Sequence, residues 1–311
     1  MTILTCIPLT GPARMMLARY GAVIDRPGPT LPVAMLDQGL REQVRLVVTN
    51  GSAGLSADDM AALPALRWVL CTGVGHENVD LDAARSQGVR VSNTPGANGQ
   101  TVADHAMALL LAISRDLLRL DQGVRAGRWE DLRQPRPAPH DRTLGLLGFG
   151  QIGQAIATRA LGFGMRVLYH TRVPRPFQGA EHAADLKMMA ARADYLVVAC
   201  PGGAATRHLV DAALLQALGP RGFLINIGRG SVVDTTALVA ALEDGVIAGA
   251  ALDVFEGEPV VPPRLRTLPN VILTPHLAGR SPQAQAAQLS AWETHIAACT
   301  QGRSPPNLVH S

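Results

Sequence analysis

Gly148-Phe149-Gly150-Gln151-Ile152-Gly153 has the residue types and spacing to hold a pyrophosphate. Gly148 permits a tight turn, Gly150 lets the backbone approach the phosphates, and Gly153 allows close packing of helix on strand. The letters alone are weak, since a glycine-rich βα turn that binds nothing shares them. Context decides: the glycines follow an apolar run at 143–147, open a helical pattern at 152–161, and lead to a second run at 166–169. That is one strand–helix–strand unit, whose helix N-terminus would offer unpaired N–H groups and a favourable dipole to the phosphates. At the end of the second run an NAD-selective site carries an acid for the ribose 2′-hydroxyl. This chain has Tyr169-His170-Thr171-Arg172 instead, with Arg175 just beyond. A hydroxyl and two guanidiniums suit a 2′-phosphate through charge-assisted hydrogen bonds, so NADP(H) is the expected cofactor. NAD(H) beside two solvated arginines is the alternative.

The elements that must position this loop alternate along the whole chain. Apolar runs at 3–7, 46–49, 68–71 and 89–92 form a first series of strands. A second series lies at 143–147, 166–169, 195–199, 223–227, 248–252 and 271–273. Helical patterns rich in Ala and Leu separate them, for example at 212–218 and 235–242. Such alternation predicts an α/β fold with parallel sheets covered on both faces. The turn formers at 93–99 end the first series, and a long apolar helix is expected over 101–120. A C-terminal helix over 283–298 falls too far from the second series to extend it easily. The expected organisation is a discontinuous substrate domain, 1–97 plus 282–311, with a dinucleotide-binding domain at 98–281 inserted in it.

Composition excludes other chemistries. Net charge is +3, from 28 basic and 25 acidic residues, without a dense basic run that would grip nucleic acid. Lys187 is the sole lysine and stands beside Met188 and Met189 in an expected surface helix, which disfavours Schiff-base chemistry and a P-loop. The longest apolar run, 106–113, is too short to cross a bilayer, and no signal peptide is evident, so a cytoplasmic protein is expected. Cys6, Cys71, Cys200 and Cys299 are scattered and read as reduced, buried thiols; neither they nor the histidines have metal-ligand spacing, and no metal is expected. His76, His105, His140, His170, His182, His208, His295 and His310 are read as non-catalytic, with His76 a possible substrate-loop exception.

Three later segments become interpretable together: Ile225-Asn226-Ile227-Gly228-Arg229-Gly230-Ser231, Asp253-Val254-Phe255-Glu256-Gly257-Glu258-Pro259 and Thr274-Pro275-His276-Leu277-Ala278-Gly279. With Thr72-Gly73-Val74-Gly75-His76-Glu77-Asn78 and Thr101-Val102-Ala103-Asp104-His105, this series resembles the D-isomer-specific 2-hydroxyacid dehydrogenases. The likeness runs from about residue 69 to 309 and is nearer the glyoxylate/hydroxypyruvate reductase branch. It implies a Rossmann-type coenzyme domain inserted in a flavodoxin-like substrate domain. It also implies reduction of a 2-oxo acid to a D-2-hydroxy acid by hydride transfer from NAD(P)H.

The resemblance further implies roles that make chemical sense. Arg229 would grip the substrate carboxylate with its planar fork and polarise the keto oxygen. His276 would be the general acid, and Glu258 would hydrogen-bond it, fixing the ring and favouring the imidazolium. Val74 and Gly75 match a loop whose backbone N–H groups meet the carboxylate. Asp253 matches a residue that meets the nicotinamide carboxamide. Ile227 and Gly228 would line the nicotinamide side, Thr206 the diphosphate, and Cys200-Pro201 the adenosine, with Cys200 equally readable as packing. Arg229, His276, Ala278 and Gly279 are counted among the cofactor contacts, and Thr101 is either one of them or the cap of its helix. Two departures stand out: Asp104 where the family often has Glu, and the small-residue run Gly202-Gly203-Ala204-Ala205 in place of a commoner Pro-Leu-Thr pattern.

Glu258 argues against formate dehydrogenase chemistry, which pairs Gln with the histidine. A phosphite-type dehydrogenase or a non-enzymatic dinucleotide sensor of the same fold is the alternative. A tailed phosphoglycerate dehydrogenase is disfavoured by how little chain follows the last helical pattern. The expected partners are a small 2-oxo or 2-hydroxy acid and a second copy of the chain, through the 101–120 helix and an arm at 122–142; neither nucleic acid nor membrane is expected.

Overall fold

A computed structural model describes residues 1–26 and 32–309; His310 lies outside the described residues. The chain divides into two compact units, Met1–Asn98 with Ser281–Ser311, and Gly99–Arg280. The first unit holds five parallel strands, β1 (Thr2–Thr5), β2 (Ala22–Asp25), β3 (Val44–Thr49), β4 (Trp68–Cys71) and β5 (Arg90–Asn93), in the order β2-β1-β3-β4-β5. This is the flavodoxin-like order. The C-terminal helix Pro282–Thr300 returns to this unit, starting on a Ser281 cap with proline in its first turn. Its Trp292 and Ile296 pack with Ile3, Leu17 and Leu46.

The second unit holds seven parallel strands: β6 (Thr143–Leu147), β7 (Arg166–His170), β8 (Ala180–His182), β9 (Tyr195–Val198), β10 (Phe223–Asn226), β11 (Gly249–Leu252) and β12 (Val271–Leu273). Their order, β12-β11-β10-β9-β6-β7-β8, reverses direction between β6 and β9, the point at which Rossmann folds bind dinucleotides. Strands β6, β9 and β11 are buried at every position, which is why they read as continuous apolar runs without alternation. The helix Gly99–Ser114 packs on the helix Gln151–Gly162 and on β10 and β11, burying Val102, Ala106 and Leu110. Asp104, the shorter carboxylate, still reaches across to Arg159 Nε at 2.8 Å.

Three features differ from the sequence expectation. The 101–120 helix is two helices, Gly99–Ser114 and Leu117–Arg125, because Asp116 adopts a left-handed conformation (φ 57°) between them. Its carboxylate is held there by Arg119 and Arg136, and a short acidic side chain is among the few that visit this region. The earlier start also places Thr101 inside the first turn, not at the cap. Strand β2, whose Ala22-Val23-Ile24 is a short apolar run the sequence reading left out, and β8, which has none, are short, part-exposed edge strands paired with β1 and β7. Among the described residues no helix is long and apolar enough to cross a membrane.

Candidate active site

The glycine loop is built by sterics. Gly148 follows β6 at φ 101°, a conformation that L side chains avoid, and a Cβ there would meet the Ala199–Cys200 backbone at under 3 Å. At Gly153 a Cβ would overlap the Gly148 carbonyl oxygen, so this glycine seats the helix on the turn. Gly150 caps the helix Gln151–Gly162 without any side-chain hydrogen bond, and a Cβ added to it would meet nothing within 4 Å. The first-turn N–H groups of Gln151 and Ile152 have no acceptor among the described residues and lie at a dipole-positive end, which fits a pyrophosphate. Phe149 turns its ring into the core, stacked on Tyr169 at 3.9 Å, and offers the loop only its backbone.

The segment after β7 is pinned at both ends. Tyr169 Oη donates to the Arg175 carbonyl at 2.6 Å and accepts the Arg175 N–H at 3.0 Å. His170 Nδ1 lies 2.9 Å from the Ala183 carbonyl, and Thr171 Oγ1 donates to the Val173 carbonyl at 2.8 Å. Arg172 and Arg175 are exposed, and among the described residues neither guanidinium has a hydrogen bond or ion pair. Across the turn, Cys200 is buried, and burial pushes its thiol up to about 11, which leaves it unreactive beside Pro201. Thr206 donates its hydroxyl to the Pro201 carbonyl at 2.8 Å, closing the 201–206 loop on itself.

Strands β10, β11 and β12 deliver the other set. After β10, Asn226 staples the turn through Ile227: its Oδ1 accepts the Gly228 N–H and its Nδ2 donates to the Arg229 carbonyl, both at 3.1 Å. Arg229 Nη1 donates back to the Gly228 carbonyl at 2.8 Å. After β11, Asp253 is buried to 1% exposure, and its carboxylate is spent on the turn that follows β12. Oδ1 accepts from Thr274 Oγ1 at 2.6 Å and the Leu277 N–H at 3.0 Å, and Oδ2 from the Ala278 N–H at 2.9 Å. The Asp253 carbonyl accepts the His276 N–H at 2.9 Å. His276 is thereby held at φ 50°, a left-handed conformation worth roughly 1–3 kcal/mol of strain and seen mostly where surroundings over-determine it. Ala278 is buried behind the turn and Gly279 follows it part-exposed.

His276 Nδ1 donates to Glu258 Oε2 at 2.7 Å, while the Phe255 N–H donates to Oε1 at 2.9 Å. Burial pushes the Glu258 carboxyl up, but the hydrogen bonds from His276 and Phe255 and the charges of His276 and Arg229 outweigh it, holding it below its ordinary value. An ionised carboxylate only accepts, so the Nδ1 proton is fixed. The far nitrogen, Nε2, has no partner among the described residues, and the imidazole is 42% exposed. Arg229, Glu258 and His276 thus form one electrostatic cluster at the carboxyl ends of neighbouring strands. In the first unit, the loop after β4 carries Val74 and Gly75, whose N–H groups have no acceptor among the described residues; the Val74 carbonyl accepts from Asn93 Nδ2 at 2.8 Å. Two adjacent free N–H groups suit a carboxylate.

Residues 107–278 match the D-isomer specific 2-hydroxyacid dehydrogenase, NAD binding domain, family. The chain belongs to the D-isomer-specific 2-hydroxyacid dehydrogenase family. Among its relatives, a glyoxylate/hydroxypyruvate reductase A of Arabidopsis thaliana is 40% identical over 265 residues, covering 85% of each chain. A 2-ketogluconate reductase of Gluconobacter oxydans is 41% identical over 236 residues, 76% of each chain. The crystal structure of an NADPH-dependent glyoxylate/hydroxypyruvate reductase from Sinorhizobium meliloti, in complex with NADP and malonate, superposes with a TM-score of 0.91. It is 37% identical, over 99% of this chain and 96% of that one. Membership makes the chain an oxidoreductase with a nicotinamide-dinucleotide-binding unit. For this dehydrogenase, the sequence reading missed what Asn226, Thr274 and the Asp253 carboxylate do to shape the two turns. Thr274 and Asp253 find each other across 21 residues, so no local spacing signals that contact, whereas Asn226 bonds within its own turn, to Gly228 and Arg229.

Proposed function

We propose that this dehydrogenase reduces a 2-oxo acid of the glyoxylate/hydroxypyruvate type to the D-2-hydroxy acid, with NADPH as the preferred donor. The observation that carries the reading is the Glu258–His276 hydrogen bond standing within the field of Arg229. Arg229 binds the carboxylate and polarises the keto oxygen with its fork. The proton on His276 Nε2 passes to that oxygen as it becomes the hydroxyl, and Glu258 stabilises the ring that holds it. When bound, the reduced nicotinamide supplies the hydride that goes to the carbonyl carbon. Gly148, Gly150 and the N–H groups of the first helical turn are assigned to its pyrophosphate, and Ile227 and Gly228 to the nicotinamide side. A panel of 2-oxo acids assayed with NADPH and with NADH tests the reading; the absence of turnover on every member would sink it.

The NADPH preference rests on the two unpartnered guanidiniums after β7, where an acid is missing. Each charge-assisted contact to a 2′-phosphate is worth about 1.5–3 kcal/mol, so replacing Arg172 and Arg175 together by alanine is expected to raise KM for NADPH at least about tenfold. KM for NADH should hardly change. An equal loss with both cofactors would assign the arginines another purpose.

The second unit also supports a homodimer. Leu117, Leu118, Val124 and Trp129 are each about half exposed or more along the segment that follows the long helix. A second copy related by a two-fold axis would cover it. Sedimentation at micromolar concentration should give twice the monomer mass, and Trp129→Glu should shift the population toward monomer. A parent protein that sediments as a monomer would refute the assembly.

A further inference from the structure

Glu256 lies outside the proton-transfer pair, yet it joins three segments of the second unit. Its Oε1 accepts from His208 Nε2 at 2.8 Å, and its Oε2 accepts the Thr235 N–H at 3.2 Å. Arg207 Nη2 stands 3.5 Å from Oε1. Burial pushes the Glu256 carboxyl up, but the hydrogen bonds from His208 and Thr235 overcome this and hold it below its ordinary value. His208 is itself fixed: its φ is 53°, its N–H donates to the Ser231 carbonyl at 2.9 Å, and its Nδ1 lies 3.9 Å from Asp234 Oδ2.

The joint is also closed by backbone. Gly230, next to Arg229, has no room for a Cβ because the backbone of Phe255 and Glu256 fills that space. The Phe255 N–H is in turn a donor to Glu258 at 2.9 Å. Any slip of residues 255–256 is therefore passed to the Glu258 carboxylate through a single hydrogen bond. Loops normally have the freedom to slip; here the Glu256 carboxylate spans from 208 to 235 and removes it.

We propose that Glu256, held by His208, is a positioning residue that fixes the 253–258 loop so that Glu258 meets His276 in the reactive geometry. This rests on the reading that Glu258 and His276 manage the proton. The test compares Glu256→Ala, Glu256→Gln, Glu258→Gln and the Glu256→Ala/Glu258→Gln double variant in the full-length enzyme, with hydroxypyruvate and NADPH as probes. Glu256→Ala is expected to lower kcat about tenfold to a hundredfold, the size of effect that small misplacements of reacting groups produce, with Kd for NADPH within about twofold of the parent. Glu256→Gln keeps the length and an acceptor for the Thr235 N–H, so it should recover most of kcat. The double variant should be no slower than Glu258→Gln alone, because coupled residues are not additive.

A folded Glu256→Ala enzyme with parental kcat, or losses that multiply in the double variant, would overturn the proposal. Should Glu256→Ala fail to fold, His208→Ala releases the same carboxylate without removing it and is judged by the same criteria. A Glu258→Gln single variant with parental kcat and pH profile is a separate failure: it removes the proton-transfer reading itself, and the proposal with it.

Discussion

Replacing His276 by alanine is expected to lower kcat for 2-oxo acid reduction by about two to four orders of magnitude, the usual contribution of a positioned general acid. NADPH binding should survive nearly intact, since the ring acts in the chemical step. The Glu258 carboxylate should also set an acid limit. Glu258 is depressed below its ordinary value of 4.5, so the ionised, hydrogen-bonded state persists as pH falls and is lost only below that ordinary range. Its contribution to stability follows the same sign: present above the unfolded pKa and lost as pH falls through the folded one. Glu258→Gln removes that acid step. Stopped-flow reduction across a pH series reads the acid limit. A His276→Ala enzyme within tenfold of the parental kcat would end the assignment of the acid.

The second large effect is expected at Arg229. An ammonium on a flexible stem cannot reproduce a planar fork, so Arg229→Lys should forfeit one charge-assisted hydrogen bond to the substrate, about 1.5–3 kcal/mol. In kcat/KM for the 2-oxo acid that is roughly ten- to hundredfold, with KM raised and kcat lowered together because the fork also polarises the reacting carbonyl. The site is unforgiving because the Arg229 stem is enclosed: a Cβ at Gly202 would come within 3.0 Å of Arg229 Cγ, and Asn226 clamps the arginine's own carbonyl. Gly202, the first of the small residues that depart from the commoner family pattern, thus sits directly against the Arg229 side chain. A kcat/KM within twofold of the parent, measured with hydroxypyruvate and NADPH, would count against the carboxylate role.

What the amino-acid sequence determined by itself was whatever short-range chemistry dictates. The turn at 148–153 is legible because three glycines meet three separate steric demands within six residues of chain. Strands β6, β9 and β11 of the larger sheet are legible because burial on both faces forces unbroken apolar runs. The identities of Arg229, Glu258 and His276 came from motif order, which carries chemistry but no geometry. Tertiary structure alone decided the rest. Glu258 meets His276 across 18 residues, and Glu256 meets His208 across 48, so neither contact has a spacing that a helix or strand period could reveal. The left-handed backbone of His276 follows from an aspartate on the neighbouring strand, and the break at Asp116 from arginines three and twenty residues away. Edge strand β8 exists because β7 offers it a hydrogen-bonding ladder, which no apolar pattern of its own announces. Local sterics and periodicity act along the chain and can be read there, whereas a hydrogen bond between strand ends exists only once the sheet has set their order.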